Sequence, residues 1–146
     1  MKRRTLLQTL PAVTLLPSAL WAAGQQGNAG STQSSTAVYE LRVYHAAPGK
    51  LNDLLARFRN HTIKIFDRHG MKSVAYWIPL DEPQKSDTLV YILRHPSREA
   101  ATANWKAFQD DPEWKSVRDK SEENGKLVEK VDSTFLALTD FSPPLR

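Results

Sequence analysis

Cysteine is absent from this chain of 146 residues. Disulfides, thiolate metal sites and a cysteine nucleophile are thereby excluded, while the redox character of the compartment is left open. No acidic residue precedes Glu40, whereas Lys2, Arg3 and Arg4 crowd the start. From residue 38 onward 17 Lys/Arg face 16 Asp/Glu, a balance of +1, so the formal charge of +4 is mostly a property of the N-terminus. A nearly neutral folded part has no electrostatic footprint for nucleic acid, and none is expected as a partner. Glycine-rich phosphate loops are missing too: "PGK" lacks the glycines and length of one, and there is no nucleophile elbow or dinucleotide fingerprint. The four histidines, His45, His61, His69 and His95, include no i, i+4 pair and no HxH. No metal site and no cofactor are expected.

What is present is an ordinary globular composition, 40% hydrophobic and 25% charged, enough for one packed domain with a tail. The tail reads as an address. Three basic residues lead into an apolar stretch from about Leu6 to Ala23, and small polar residues follow. That is the layout of an export signal. Gln8, Thr9, Pro11 and Pro17 interrupt the apolar stretch, which makes it a poor spanning helix. Arg3-Arg4 followed by Thr5, Leu6 and Leu7 resembles a twin-arginine signal, with Gln8 where a lysine is common. Residues 1–24 are therefore expected to be a signal peptide cut near Gly24. Residues 25–37, rich in Gly, Ser, Gln and Thr, are expected to be a flexible linker. The mature protein is then periplasmic or secreted and keeps no stable membrane anchor.

The mature part alternates between two periods. "AVYELRVYHA" (37–46) has period two: Tyr39, Leu41 and Val43 point one way, Glu40, Arg42 and Tyr44 the other. From Lys50 to His69, Leu51, Leu54, Leu55, Phe58, Ile65 and Phe66 form one helical stripe, with His61 and Thr62 in its middle, and Gly70 ends it. "MKSVAYWIPL" and "TLVYILRH" read as a hairpin of strands. Ser97 caps a second helix carrying Ala100, Ala101, Trp105 and Phe108. "DPEW" restarts a short helix anchored by Trp114 and Val117, with Asp111 as cap and Pro112 in its first turn. "VEKVDSTFLALTDF" supplies the last strand. The order β-α-β-β-α-β is an α+β, ferredoxin-like (βαββαβ) arrangement with two helices on one sheet face. The other face carries apolar groups and no cover, so a homodimer closing a dimeric α+β barrel is expected.

"YELRVY" with "PGKLNDLLARF", then "HTIKIFDRHGMKSVAYW", then "DDPEWK" and the closing "FLALTDFSP" together resemble the NIPSNAP family. The resemblance spans residues 38–143 and implies the dimeric α+β barrel fold. It implies no settled enzymatic activity. Related barrels include small monooxygenases, dehydratases and haem-handling proteins, a likeness of fold alone. The family's eukaryotic members are linked to mitochondria and vesicle-related proteins, a setting that the export signal does not match.

The candidate chemistry is sparse. His61 borders the stripe of the first helix, where an imidazole titrating near neutrality could act as acid or base in a cleft; the plainer role is to fill space and hydrogen-bond a backbone carbonyl. If Tyr39, Leu41 and Val43 lie under the helices, Glu40 and Arg42 look toward the dimer cleft, with Arg94 beside them, as an ion-pair network or as the grip on an anionic ligand. Arg42, Tyr44, Tyr76 and Tyr91 are the candidate ligand-binding residues. Tyr76 and Trp77 are adjacent in a strand and so face opposite ways. Three functions fit these residues: a small-molecule- or protein-binding module, whose small ligand would be hydrophobic or aromatic; a cofactor-free enzyme, monooxygenase-like or isomerase-like, acting on an aromatic or polyketide-like substrate with His61 as base; or haem handling by a histidine.

Overall fold

The computed structural model describes residues 37–145. The expected signal peptide, and all of the expected linker except Ala37, lie outside the described residues. The elements follow as β1 (Val38–Ala46), α1 (Leu51–Arg57), a π turn (Phe58–Thr62), α2 (Ile63–Arg68), β2 (Lys72–Trp77), β3 (Thr88–His95), α3 (Arg98–Asp110), α4 (Pro112–Ser121) and β4 (Val128–Leu136). The four strands form one sheet in the order β2-β3-β1-β4, and every neighbouring pair is antiparallel. This is the α+β, ferredoxin-like fold expected from the element order.

Local chemistry sets the helix ends. Ser97 is extended and its hydroxyl accepts from the Ala100 N–H, capping α3. Asp111 caps α4 by accepting from the Glu113 and Trp114 N–H groups, and Pro112 fills the first turn. Gly70, at φ +73°, releases the chain from α2 into β2. The helices pack on one sheet face through Leu51, Leu54, Phe58, Ile65, Phe66 and Phe108, all buried, against Leu89, Tyr91 and Leu93 of β3.

The π turn settles which residues of the first helix meet the sheet. The Ile63 N–H reaches back to the Phe58 carbonyl, and the Thr62 hydroxyl donates to the carbonyl of Arg57 at 3.3 Å. A π turn needs more residues than an α turn to come round. Thr62 therefore completes the stripe and is buried, whereas His61 falls short of it and is exposed.

The two faces of β1 are the reverse of the arrangement that would send Glu40 and Arg42 to a dimer cleft. Glu40, Arg42 and Tyr44 lie under the helices: Arg42 sits over the Trp105 ring, and Tyr44 meets Phe58 edge-on. Leu41 and Val43 face the other side, which no helix among the described residues covers; Tyr39 shares that side but is 8% exposed, near Leu145 of the C-terminal stretch. Alternation alone cannot say which face carries the helices, and here three polar side chains find their partners beneath them. Arg94 pairs across the strands with Tyr39 and Lys72, which puts it on the uncovered face, away from Glu40 and Arg42.

Candidate functional site

Register brings four strand residues into one layer beneath the helices. Arg42 stands opposite Tyr91, Tyr91 opposite Tyr76, and Tyr44 is two residues along β1 from Arg42. Tyr76 and Tyr91 stack at 5.4 Å, Tyr44 lies 5.3 Å from Tyr91, and Phe58 touches all three rings at 5.3–6.0 Å. Phe66 carries the layer on to Trp105 and Phe108. The space between sheet and helices is thus occupied by aromatic side chains at ordinary packing distances.

A polar knot closes one side of this layer around Glu40, which is 1% exposed. Its Oε2 accepts from Trp105 Nε1 at 2.6 Å and from His95 Nε2 at 3.0 Å. Its Oε1 accepts from Arg42 Nη1 at 2.6 Å and from Ser133 Oγ at 2.8 Å. Burial alone would raise the carboxyl's pKa. The bonds from His95, Trp105, Ser133 and Arg42 outweigh it and hold the group at about 2. Burial would likewise discharge Arg42, but Tyr44, Tyr91 and Glu40 offset it, so the guanidinium stays charged. Burial pushes the Tyr91 phenol well above its ordinary range, Tyr44 adding to the shift and Arg42 opposing it.

Among the described residues, Arg42 Nε, Tyr91 Oη and His95 Nδ1 are buried without a hydrogen-bond partner. Buried polar atoms in such a position are uncommon and call for an explanation. The knot itself was half legible: the sequence marks Glu40 and Arg42 as strand charges needing partners. His95 closes β3, and nothing in its sequence neighbourhood signals that it faces Glu40.

Of the candidate residues, Arg42, Tyr44, Tyr76 and Tyr91 are brought together. His61 is not with them. It lies on the outer surface of the first helix, in a groove shared with α4. His69 at the end of α2 meets Asp111 at 2.6 Å, joined there by Arg68 at 2.7 Å; those two contacts hold the Asp111 carboxyl well below its ordinary range. His45 pairs with Asp132 at 3.1 Å. Among the described residues no group of three His, Asp or Glu side chains is placed to hold a metal ion.

The NIPSNAP family model matches residues 39–143, the whole described domain but for its ends. The chain belongs to the NIPSNAP family. Solved structures of other members share the fold. A NIPSNAP-like domain protein from Burkholderia xenovorans superimposes with a TM-score of 0.65 at 20% identity, covering 77% of this chain and 93% of that one. A NIPSNAP family protein of unknown function from Agrobacterium tumefaciens gives 0.63 at 22% identity, covering 75% and 94%. A monooxygenase from Streptomyces coelicolor, solved in complex with nanaomycin D, gives 0.51 at 16% identity, covering 73% and 91%. At that identity it shares a fold with this NIPSNAP domain and nothing finer. No curated protein matches the chain.

Proposed function

We propose that this NIPSNAP protein is an exported, homodimeric binding module. The observation that carries the reading is the sheet face that no helix among the described residues covers. Leu41 and Val43 of β1, Ala75 and Trp77 of β2 and Val90 and Ile92 of β3 stand in register across three strands. Trp77 is 48% exposed, with Ile78 and Leu80 exposed beyond it. A contiguous apolar face of this kind marks an interaction surface. A second copy presents the same face and buries it by a two-fold relation. Charged groups stand toward the margins: Lys72 and Arg94 at one end, His45 with Asp132 and Lys130 on the β4 side. That is the usual distribution of an apolar centre and polar rim.

Export through the N-terminal signal would deliver this dimer to the periplasm or the medium without a membrane anchor. No helix among the described residues is long and apolar enough to cross a membrane. Binding is favoured over catalysis because aromatic rings fill the space under the helices and His61 stands outside it.

One observation favours a second reading. Arg42 Nε and Tyr91 Oη are unpartnered inside the aromatic layer. A small aromatic or polyketide-like substrate displacing part of that packing would supply both partners, with Tyr44 and Tyr76 stacking on it. A cofactor-free enzyme would work in this way, and its acid–base group would have to come from the layer itself.

Native mass spectrometry of protein purified gently from its exported location tests both readings. A dimer mass is expected, and Trp77→Glu should shift it to monomer. A wild-type monomer at micromolar concentration would overturn the dimer. A reproducible extra mass that Arg42→Met or Tyr91→Phe removes would favour the enzyme reading over the plain module.

A further inference from the structure

The first helix and α4 face one another with stripes that are polar where helix contacts are ordinarily apolar. Lys50, Asp53, Arg57, Asn60 and His61 recur at helical spacing on one side. Ser116, Lys120 and Ser121 do so on the other, Asn124 joins them from the turn beyond the end of α4, and Val117 and Ala56 are the apolar contributions. The stripes leave a groove of about 580 Å³ between them, within the range of roughly 300–1,000 Å³ typical of small-molecule sites. None of the α4 side chains is fully buried. Its Trp114 packs on Phe108 at 4.4 Å.

Two further features mark the groove. The π turn, a device frequent at functional sites, is what turns Asn60 and His61 into it. Arg57 is buried at its base, over the Trp114 ring, with Nη1 bonded to Glu122 at 3.0 Å and Ser121 at 3.3 Å. Its Nε has no partner among the described residues.

We infer that this groove binds a small carboxylate carrying hydroxyl groups. Lys50 is paired with Asp53 and Arg57 with Glu122, but Lys120 makes no ion pair among the described residues. The surplus is a single positive charge, with His61 beside it, and it matches one carboxylate. The Asn60 and Asn124 amides and the Ser116 hydroxyl both donate and accept, which is what hydroxyl groups require; Ser121 Oγ is already engaged, donating to the Arg118 carbonyl and accepting from Arg57. The small apolar share, Val117 and Ala56, suits the carbon chain of such an acid rather than an aromatic body. The groove lies in the helical layer, across the sheet from the proposed dimer face, so its occupancy stands or falls apart from dimerisation.

The test is a titration of the isotope-labelled full chain with sodium gluconate at constant ionic strength. Backbone amide shifts are followed by NMR, with glucose and sodium chloride as controls. Saturable shifts at Asn60, His61, Lys120 and Asn124 are expected with gluconate and not with either control. Lys120→Glu, on an exposed side chain, should weaken binding roughly tenfold. Val117→Trp, which fills the groove without altering its charge, should abolish it. Linear, non-saturating shifts overturn the inference. So does equal response to chloride or glucose, or an affinity unchanged by Lys120→Glu. Binding that survives Val117→Trp would place the ligand on the general surface and overturn it as well.

Discussion

Glu40→Gln is the substitution on which the account of the polar knot depends most. The carboxylate accepts four hydrogen bonds, two on each oxygen, and one of them comes from a charged guanidinium. An amide of the same shape keeps one acceptor oxygen and turns an NH₂ toward the other pair of donors. If the NH₂ faces Trp105 and His95, the imidazole can exchange tautomers, but the indole N–H cannot become an acceptor. If it faces Arg42 and Ser133, the hydroxyl can rotate, but the guanidinium cannot. Either way one buried donor is orphaned and Arg42 loses its counter-charge. Breaking a buried pair in this manner costs about 3–5 kcal/mol. Proton linkage gives a similar figure by another route. A carboxyl titrating at 4.5 when unfolded and at about 2 when folded contributes about 3 kcal/mol at neutral pH.

Urea unfolding followed by tryptophan fluorescence, at one fixed protomer concentration, measures the loss directly. Its pH dependence is the sharper part. Because the folded pKa is depressed, the Glu40 contribution is present above pH 4.5 and fades as pH falls toward 2. The gap between wild type and Glu40→Gln should therefore be about 3 kcal/mol near neutrality and narrow steadily below pH 4.5. The other depressed carboxylates, Asp111 among them, titrate in both proteins and cancel in the difference. A loss under about 1 kcal/mol at neutral pH, or a gap that does not change with pH, would refute the reasoning.

Other substitutions test separate parts of the structure. Tyr91→Phe removes a hydroxyl that has no protein partner, so stability should stay within about 1 kcal/mol of wild type; a loss above about 2 kcal/mol in the same urea assay would reveal a hidden partner. Gly70→Ala forces a side chain into a φ of +73° and places its Cβ 3.2 Å from the Asn104 amide nitrogen. It should cost about 1 kcal/mol or more, read as a lower urea midpoint at unchanged slope. Ser97→Ala removes the hydroxyl that accepts from Ala100 and should cost about 1 kcal/mol, while Ser97→Asp should restore most of it.

The fold was legible because its signals are local and redundant. β3 needs only an unbroken apolar run, the caps at Ser97 and Asp111 need only residues within a turn, and Gly70 needs only its own φ. The site was legible only where periodicity is two. Alternation correctly grouped Glu40, Arg42 and Tyr44 on one face and set Tyr76 against Trp77, yet it carries no mark of which face the helices will cover. That choice is made by long-range partners: Trp105 and His95, some 55–65 residues away in the chain, satisfy a carboxylate that the uncovered face would have left to water or to a second subunit. His61 shows the opposite difficulty. At three residues from Phe58 and four from Ile65 it fits an α-helical stripe, and a single π turn between them is enough to rotate it out of the interior and into the groove against α4. The added residue carries no punctuation such as proline or glycine, and its one visible trace is Thr62, whose hydroxyl bonds the Arg57 carbonyl within the widened turn. A buried threonine five residues after a buried arginine is thus the feature that ties the helix's irregularity to the groove it opens. The same displacement that removes His61 from the aromatic layer supplies the groove with its imidazole.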